Sequence, residues 1–277
     1  MITQVDRVIE LQKLNEKKGI KKLHKVFSFT SGKGGTGKTV LALNLAYALS
    51  KQNKKVLLID LDSNMSNVDI MLNYIAQKTI GDFYSSRSLL NELITEYEPN
   101  FHIIFGDSGK INYDQPKVEL VKYFISQMEK IESKYDFIFL DTSAGANETL
   151  LNLLNASDYL LFVTNPEPTA VMDAYVMLKL LRHKSCKAEK LVIVNKINEK
   201  AEGEQTFNNL QTASGHFLNE ELHYLGALPF SIDVNKSIIA QQVLVKKYPE
   251  SKITRQIAAL SKKIVEITQV ANIHQLS

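Results

Sequence analysis

Gly32-Lys33-Gly34-Gly35-Thr36-Gly37-Lys38-Thr39 matches the pattern G-x-x-x-x-G-K-[ST], with an extra lysine, Lys33, directly after the first glycine. Gly32, Gly34, Gly35 and Gly37 place four of the chain's twelve glycines within six positions. The backbone can therefore take positive φ and turn its N–H groups inward around a polyphosphate. At this spacing Lys38 is expected to meet the β- and γ-phosphates, and Thr39 to offer its hydroxyl to Mg²⁺. Gly34, Gly35, Thr36, Gly37 and Val40 complete the expected nucleotide contacts. A β-rich run, residues 25–30, precedes the loop, and strong helix formers, residues 40–49, follow it. The order is strand, loop and helix, with the helix N-terminus facing the anion. A glycine loop that merely turned the chain would leave Lys38 and Thr39 unexplained.

Outward from this loop the chain alternates between strand-like and helical patterns. Val56–Asp60, residues 101–105, Phe137–Asp141, residues 159–163 and residues 191–195 are continuous apolar runs, as expected of strands buried on both faces of a parallel sheet. Residues 224–229 read as one more. Helical stretches separate most of them, so the pattern predicts an α/β fold with a single doubly wound, mostly parallel sheet flanked by helices. The 277 residues, 44% apolar and 23% charged, suit one large domain with a substantial core. No internal repeat or low-complexity linker interrupts it.

Composition excludes several classes. A net charge of +3 is too mild to argue for nucleic acid. A single cysteine, Cys186, rules out an intramolecular disulfide framework and a cysteine-ligated metal cluster within one chain, and fits a reducing cytosol. The N-terminal residues lack the apolar core of a signal peptide, and no run approaches the ~18 apolar residues that a spanning helix requires. The expected location is cytoplasmic.

Several strands end in residues suited to chemistry, where open α/β sheets place their ligands. Asp141 closes an apolar strand and opens Asp141-Thr142-Ser143-Ala144-Gly145, so it reads as the Walker B carboxylate that holds Mg²⁺. Asp60 and Asp62 follow the next strand after the loop helix. One is placed to reach metal and the other a water beside the γ-phosphate, while capping of a loop is the plainer use of either. Asn195, at a strand end before Lys196, is suited to the adenine edge through its amide, and equally suited to an ordinary loop.

At these residues the chain resembles the MinD/ParA family of deviant Walker ATPases, over roughly residues 26–270. The resemblance rests on Lys33, on Asp60-Leu61-Asp62 and on the segment from Asp141 to Gly145. It implies an ATPase in which Lys33 crosses a nucleotide-sandwich homodimer to touch the partner's phosphates and Asp62 positions the attacking water. ATP would close that dimer and hydrolysis would open it. Asn67-Val68-Asp69-Ile70-Met71-Leu72 and the segment from Glu167 to Tyr175, which opens Glu167-Pro168-Thr169, resemble the FlhG-type branch that regulates flagellar number. That likeness implies Glu167 beside the nucleotide, and an FlhF-like GTPase or flagellar basal-body proteins as partners. In a plain reading Pro168 opens a helix at N1 and Val171, Tyr175, Leu178 and Arg182 continue its faces. The two readings are compatible.

Both chain ends carry further expectations. Residues 1–25 hold seven Lys or Arg against three acids, leaving the remainder at −1. Ile2, Val5, Val8, Ile9, Leu11 and Leu14 have helical spacing, which suits a helix that lays its apolar face on a partner. FlhG-type proteins begin with a short Asp-Gln-Ala helix that stimulates the GTPase. Gln4 and Val5 match its last two positions loosely and Thr3 replaces the acid, so a flexible leader is the alternative. Near the other end Ile253, Ile257, Leu260, Ile264 and Ile267 form one apolar stripe with Lys252, Arg255, Lys262 and Lys263 nearby. It suits either a last core helix, the favoured reading, or a helix lying on the inner face of the cell membrane. Residues 271–277 read as a polar tail. Rival readings are a partition or division-site ATPase acting on DNA or membrane, and a biosynthetic ligase on the same fold.

Overall fold

The computed structural model describes residues 25–62, 67–107 and 116–276, with side chains through residue 271. Eight strands form one sheet: β1 (Val26–Thr30), β2 (Val56–Asp60), β3 (Thr95–Glu98), β4 (Phe101–Ile104), β5 (Phe137–Asp141), β6 (Tyr159–Thr164), β7 (Glu189–Ile197) and β8 (His223–Pro229). Their order is β3-β4-β2-β5-β1-β6-β7-β8. All neighbours are parallel except β3, which runs antiparallel to β4 at the edge. The expected doubly wound sheet is therefore present. Every residue of β1, β2, β5 and β6 is buried, which is why these strands read as unbroken apolar runs. β3, with the sequence Thr-Glu-Tyr-Glu, is half exposed. A four-residue polar edge strand leaves little apolar signal to find in a sequence.

The helices are α1 (Lys38–Ser50), α2 (Val68–Met71), α3 (Ile80–Tyr84), α4 (Val118–Glu132), α5 (Glu148–Asn155), α6 (Pro168–His183), α7 (Lys200–Leu218), α8 (Ile232–Ile239), α9 (Leu244–Lys247) and α10 (Lys252–Leu276). Alternate strand residues feed the two faces. Phe27, Phe29, Leu58, Phe101 and Phe139 join Leu41, Leu45, Leu49, Ile257 and Leu260 on one side. On the other, Val26, Leu57, Ile59, Ile138 and Leu140 meet Phe83 and Phe124, and Leu160, Phe162, Val192 and Val194 meet Leu178, Leu181 and Leu210. The Phe27 ring stacks on Tyr159 at 4.5 Å between centroids and meets Phe139 edge-on at 5.6 Å, filling the centre beneath the glycine loop.

α1 is buried from Leu41 to Ser50 because it lies under α9 and α10. Asn44 supports this placement: its Oδ1 accepts the Val245 N–H at 3.1 Å, and its Nδ2 donates to Val40 O at 2.7 Å. Gln52 Nε2 reaches Ser261 Oγ on α10 at 2.7 Å. The C-terminal stripe is thus spent on the core, with Ile253, Ile257, Leu260 and Ile264 all buried. The helix also runs on to Leu276, through residues that read as a polar tail. No described helix is long and apolar enough to cross a membrane. The expectations for residues 1–24, including the helix around Gln4 and Val5, lie outside the described residues.

Ile257 is 2% exposed, so Ile257→Asp would bury an unpaired carboxylate. The expected cost is on the order of 4 kcal/mol, a drop of roughly 10 °C in melting temperature for a domain of this size. Differential scanning fluorimetry checks it. A wild-type melting temperature would show that the stripe lies outside the cooperative core.

Candidate nucleotide site

The sheet register gathers the strand-end carboxylates beside the glycine loop. Phe29 of β1 pairs with Asp141, and Asp141 pairs in turn with Asp60 of β2. On its other side β1 pairs with β6, Thr30 lying opposite Phe162. The chain crosses from β5 to β6 over β1, so the loop opens at the switch point where an α/β sheet takes its ligand.

The loop's glycines do separate jobs. Gly37 caps α1 at φ 93°, and a Cβ there would lie 2.5 Å from Asn195 Nδ2. Gly32 lets α6 approach, since a Cβ at Gly32 would stand 2.2 Å from the Asp173 carbonyl carbon. Lys38 follows on the first turn of α1 and is 8% exposed. Burial lowers its pKa, while the charges of Asp141 and Asp62 oppose that shift. A desolvated ammonium at a helix N-terminus between two carboxylates is a cation held ready for an anion.

Asp141 is fully buried, and neither carboxylate oxygen has a protein hydrogen-bond partner of normal geometry. Burial pushes its pKa up to about 6, with the Asp62 charge adding to the rise and the Thr39 hydroxyl and Lys38 resisting it. A buried acceptor beside a threonine hydroxyl suits Mg²⁺, a metal that would keep water and phosphate oxygens as its other ligands. Among the described residues no three His, Cys, Asp or Glu side chains are grouped so as to hold a metal by themselves. Asp60, the other expected ligand, is also fully buried. Its Oδ1 accepts the Asp62 N–H at 3.1 Å and its Oδ2 the Val68 N–H at 3.4 Å. Asp60 thereby ties Asp62 to the start of α2, and Asp62 stays close enough to act on both Lys38 and Asp141.

Lys33 points elsewhere. Its ammonium pairs with the Glu167 carboxylate and donates to Thr169 Oγ1 at 3.1 Å. Asn165 Nδ2 steadies the same carboxylate at 3.0 Å. The Lys33 hydrogen bond holds the Glu167 carboxyl below its ordinary range. Glu167 caps α6, whose first residue is Pro168, so the start of α6 holds Lys33 on its own subunit.

Beside the loop lies a cavity of about 230 Å³, lined by Gly37, Val40, Asn195, Pro229, Phe230 and Ile238 among others. Its apolar walls and position suit a nucleotide base. Asn195 borders it, but its amide nitrogen donates to Thr36 O at 2.8 Å and its Oδ1 accepts the Lys196 N–H at 2.9 Å. Asn195 braces the loop with one of its two amide hydrogens. Pro229 and Phe230 were not foreseen. Pro229 ends β8 and Phe230 follows it, and only the fold brings them to the loop.

A glycine-rich phosphate loop between β1 and α1, with a buried strand-end carboxylate one strand away, defines a P-loop nucleoside triphosphatase. The family model AAA_31, an AAA domain, matches residues 24–193. Flagellum site-determining protein YlxH of Helicobacter pylori is 34% identical over 244 residues, covering 87% of this chain and 82% of that protein. Antiactivator FleN of Pseudomonas aeruginosa is 28% identical over 239 residues, covering 86% and 85%. Among solved structures, the septum site-determining protein MinD of Pyrococcus horikoshii, complexed with Mg-ADP, superimposes with a TM-score of 0.73 at 24% identity, over 90% of this chain and 98% of that one. The chain belongs to the AAA_31 family and is an ATPase of the MinD/ParA type.

The buried Asp141 has a consequence for stability. An acid whose folded pKa lies above its unfolded value of about 3.9 destabilises the fold above the folded pKa, and the penalty disappears as pH falls. Asp141→Asn is therefore expected to raise the melting temperature of the nucleotide-free protein at pH 7, and to lose that advantage as pH falls from about 6 to about 4. The same variant should bind Mg²⁺-ADP no better than ADP in EDTA. A variant that melts below wild type at pH 7, or that keeps the metal effect, would contradict this assignment.

Proposed function

We propose that this ATPase is a nucleotide-gated dimerisation switch with slow hydrolysis that sets flagellar number or placement through a protein partner, an FlhF-type GTPase or a basal-body component. The observation that carries the switch is the pairing of Lys33 with Glu167 and Thr169. Lys38 already occupies the buried position that serves its own subunit's phosphates, and Lys33 stands outside it on the start of α6, available to a facing subunit. In this reading Lys38 binds phosphate in cis and Lys33 leaves Glu167 to bind phosphate in trans. Asp141 and Thr39 hold Mg²⁺, Asp60 shapes the catalytic loop, and Asp62 orients the attacking water. The flagellar assignment is supported by the name of one relative that matches most of this chain, the flagellum site-determining protein YlxH.

A pull-down with an Asp62→Ala variant loaded with ATP tests the assignment. Recovery of flagellar basal-body proteins or an FlhF-like GTPase supports it. Recovery of division proteins, or ATP-dependent binding to duplex DNA or lipid vesicles, would move the chain to the partition and division-site branch instead.

A further inference from the structure

We propose that Lys196 is a positioning residue for the phosphate loop, holding the loop's carbonyls outward so that its N–H groups face the phosphates. The inference rests on the nucleotide reading above and concerns a residue outside the expected site. Lys196 lies near the end of β7, where pairing with β8 slips between Val194 and Ile197. Its backbone sits at φ 59°, a conformation that suits glycine and strains a residue with a Cβ. A strained lysine inside a strand points to a use for its side chain. That side chain crosses to the loop, and its ammonium donates to Gly35 O at 2.7 Å.

The neighbouring residue completes the brace. Asn195 Nδ2 donates to the next carbonyl, Thr36 O, at 2.8 Å, while its Oδ1 staples the Lys196 N–H at 2.9 Å. In a trans peptide the C=O and the following N–H point in opposite directions. Anchoring Gly35 O and Thr36 O on β7 therefore turns the N–H groups of Thr36 and Gly37 away from β7. Gly35 and Gly37 hold φ 78° and 93°, so the loop is already wound into a cradle, with β7 fixing its outer side. Preorganised donors bind an anion without paying to reorder the loop. The Lys196 side chain also borders the base cavity together with Gly35, Gly37 and Phe230, at the junction between phosphate and base.

Three variants separate positioning from structure. Lys196→Met keeps the stem and removes the ammonium. Lys196→Gly also relieves the backbone strain. Lys196→Arg restores a cation. Titration calorimetry with Mg²⁺-ADP should show about tenfold weaker binding for the Met and Gly variants, the loss of one charge-assisted hydrogen bond's worth of preorganisation. The nucleotide-free melting temperature should hold for Met and hold or rise for Gly, and Arg should bind within about threefold of wild type. Wild-type affinity in the Met or Gly variant would overturn the proposal. So would an affinity loss that only follows a fall in melting temperature, or an Arg variant as weak as Met. A wild-type protein that fails to bind Mg²⁺-ADP would overturn the nucleotide reading itself, a result distinct from failure of the Lys196 role alone.

Discussion

Lys38→Ala is expected to abolish measurable Mg²⁺-nucleotide binding, whereas Lys33→Ala keeps binding close to wild type and loses ATP-dependent dimerisation. The two lysines stand five residues apart in one loop and carry the same charge, so composition cannot separate them. Environment does. Lys38 is buried between Asp141 and Asp62, and its removal leaves two carboxylates facing the phosphates with no cation between them. Loss of a charge-assisted hydrogen bond costs about 3 kcal/mol, roughly 100-fold in affinity, before that repulsion is added. Lys33 is 30% exposed and paired with Glu167, so its removal costs its own subunit's nucleotide nothing. Calorimetry for binding and light scattering for mass decide the matter, and equal loss of binding in both variants would refute the division of labour.

Asp62→Ala should bind Mg²⁺-ATP and dimerise, yet hydrolyse at least about 100-fold more slowly. Orientation of a nucleophile is felt in the transition state and not in ground-state binding. In the proposed site the metal would be left with Asp141 and Thr39, and Asp60 still accepts the Val68 N–H. Single-turnover phosphate release measures the effect. Wild-type turnover would place the catalytic role on another group, with Asp60 next in line.

The parts of this site that were legible in the sequence are those whose residues are consecutive. The octapeptide from Gly32 to Thr39 carries its chemistry in one run, and Asp141 ends a strand whose burial is written in Phe137–Asp141. The contacts of Lys33 and Lys196 were not legible. Lys33 meets Glu167 across 134 positions and Lys196 meets Gly35 across 161, contacts that exist only once β6 and β7 lie beside β1. Asn195 stands out in the sequence at a strand end, but the partner of its amide is a loop carbonyl that no local pattern reveals. The stripe from Ile253 to Ile264 repeats every three or four residues whether it faces a core or a lipid surface, and only its packing against α1 decides between them. Asp60 and Asp62 were equivalent as letters. The hydrogen bonds of Asp60 to two backbone N–H groups distinguish them.

The central claim is that ATP, through Lys33, joins two copies of this chain. Sedimentation velocity of the Asp62→Ala protein in Mg²⁺-ATP and in Mg²⁺-ADP tests it most directly. The account predicts a species of twice the 31.3 kDa chain mass in ATP, a monomer in ADP, and a monomer in both when Lys33→Ala is added. A monomer in ATP, or a dimer that persists in ADP or without Lys33, would contradict it.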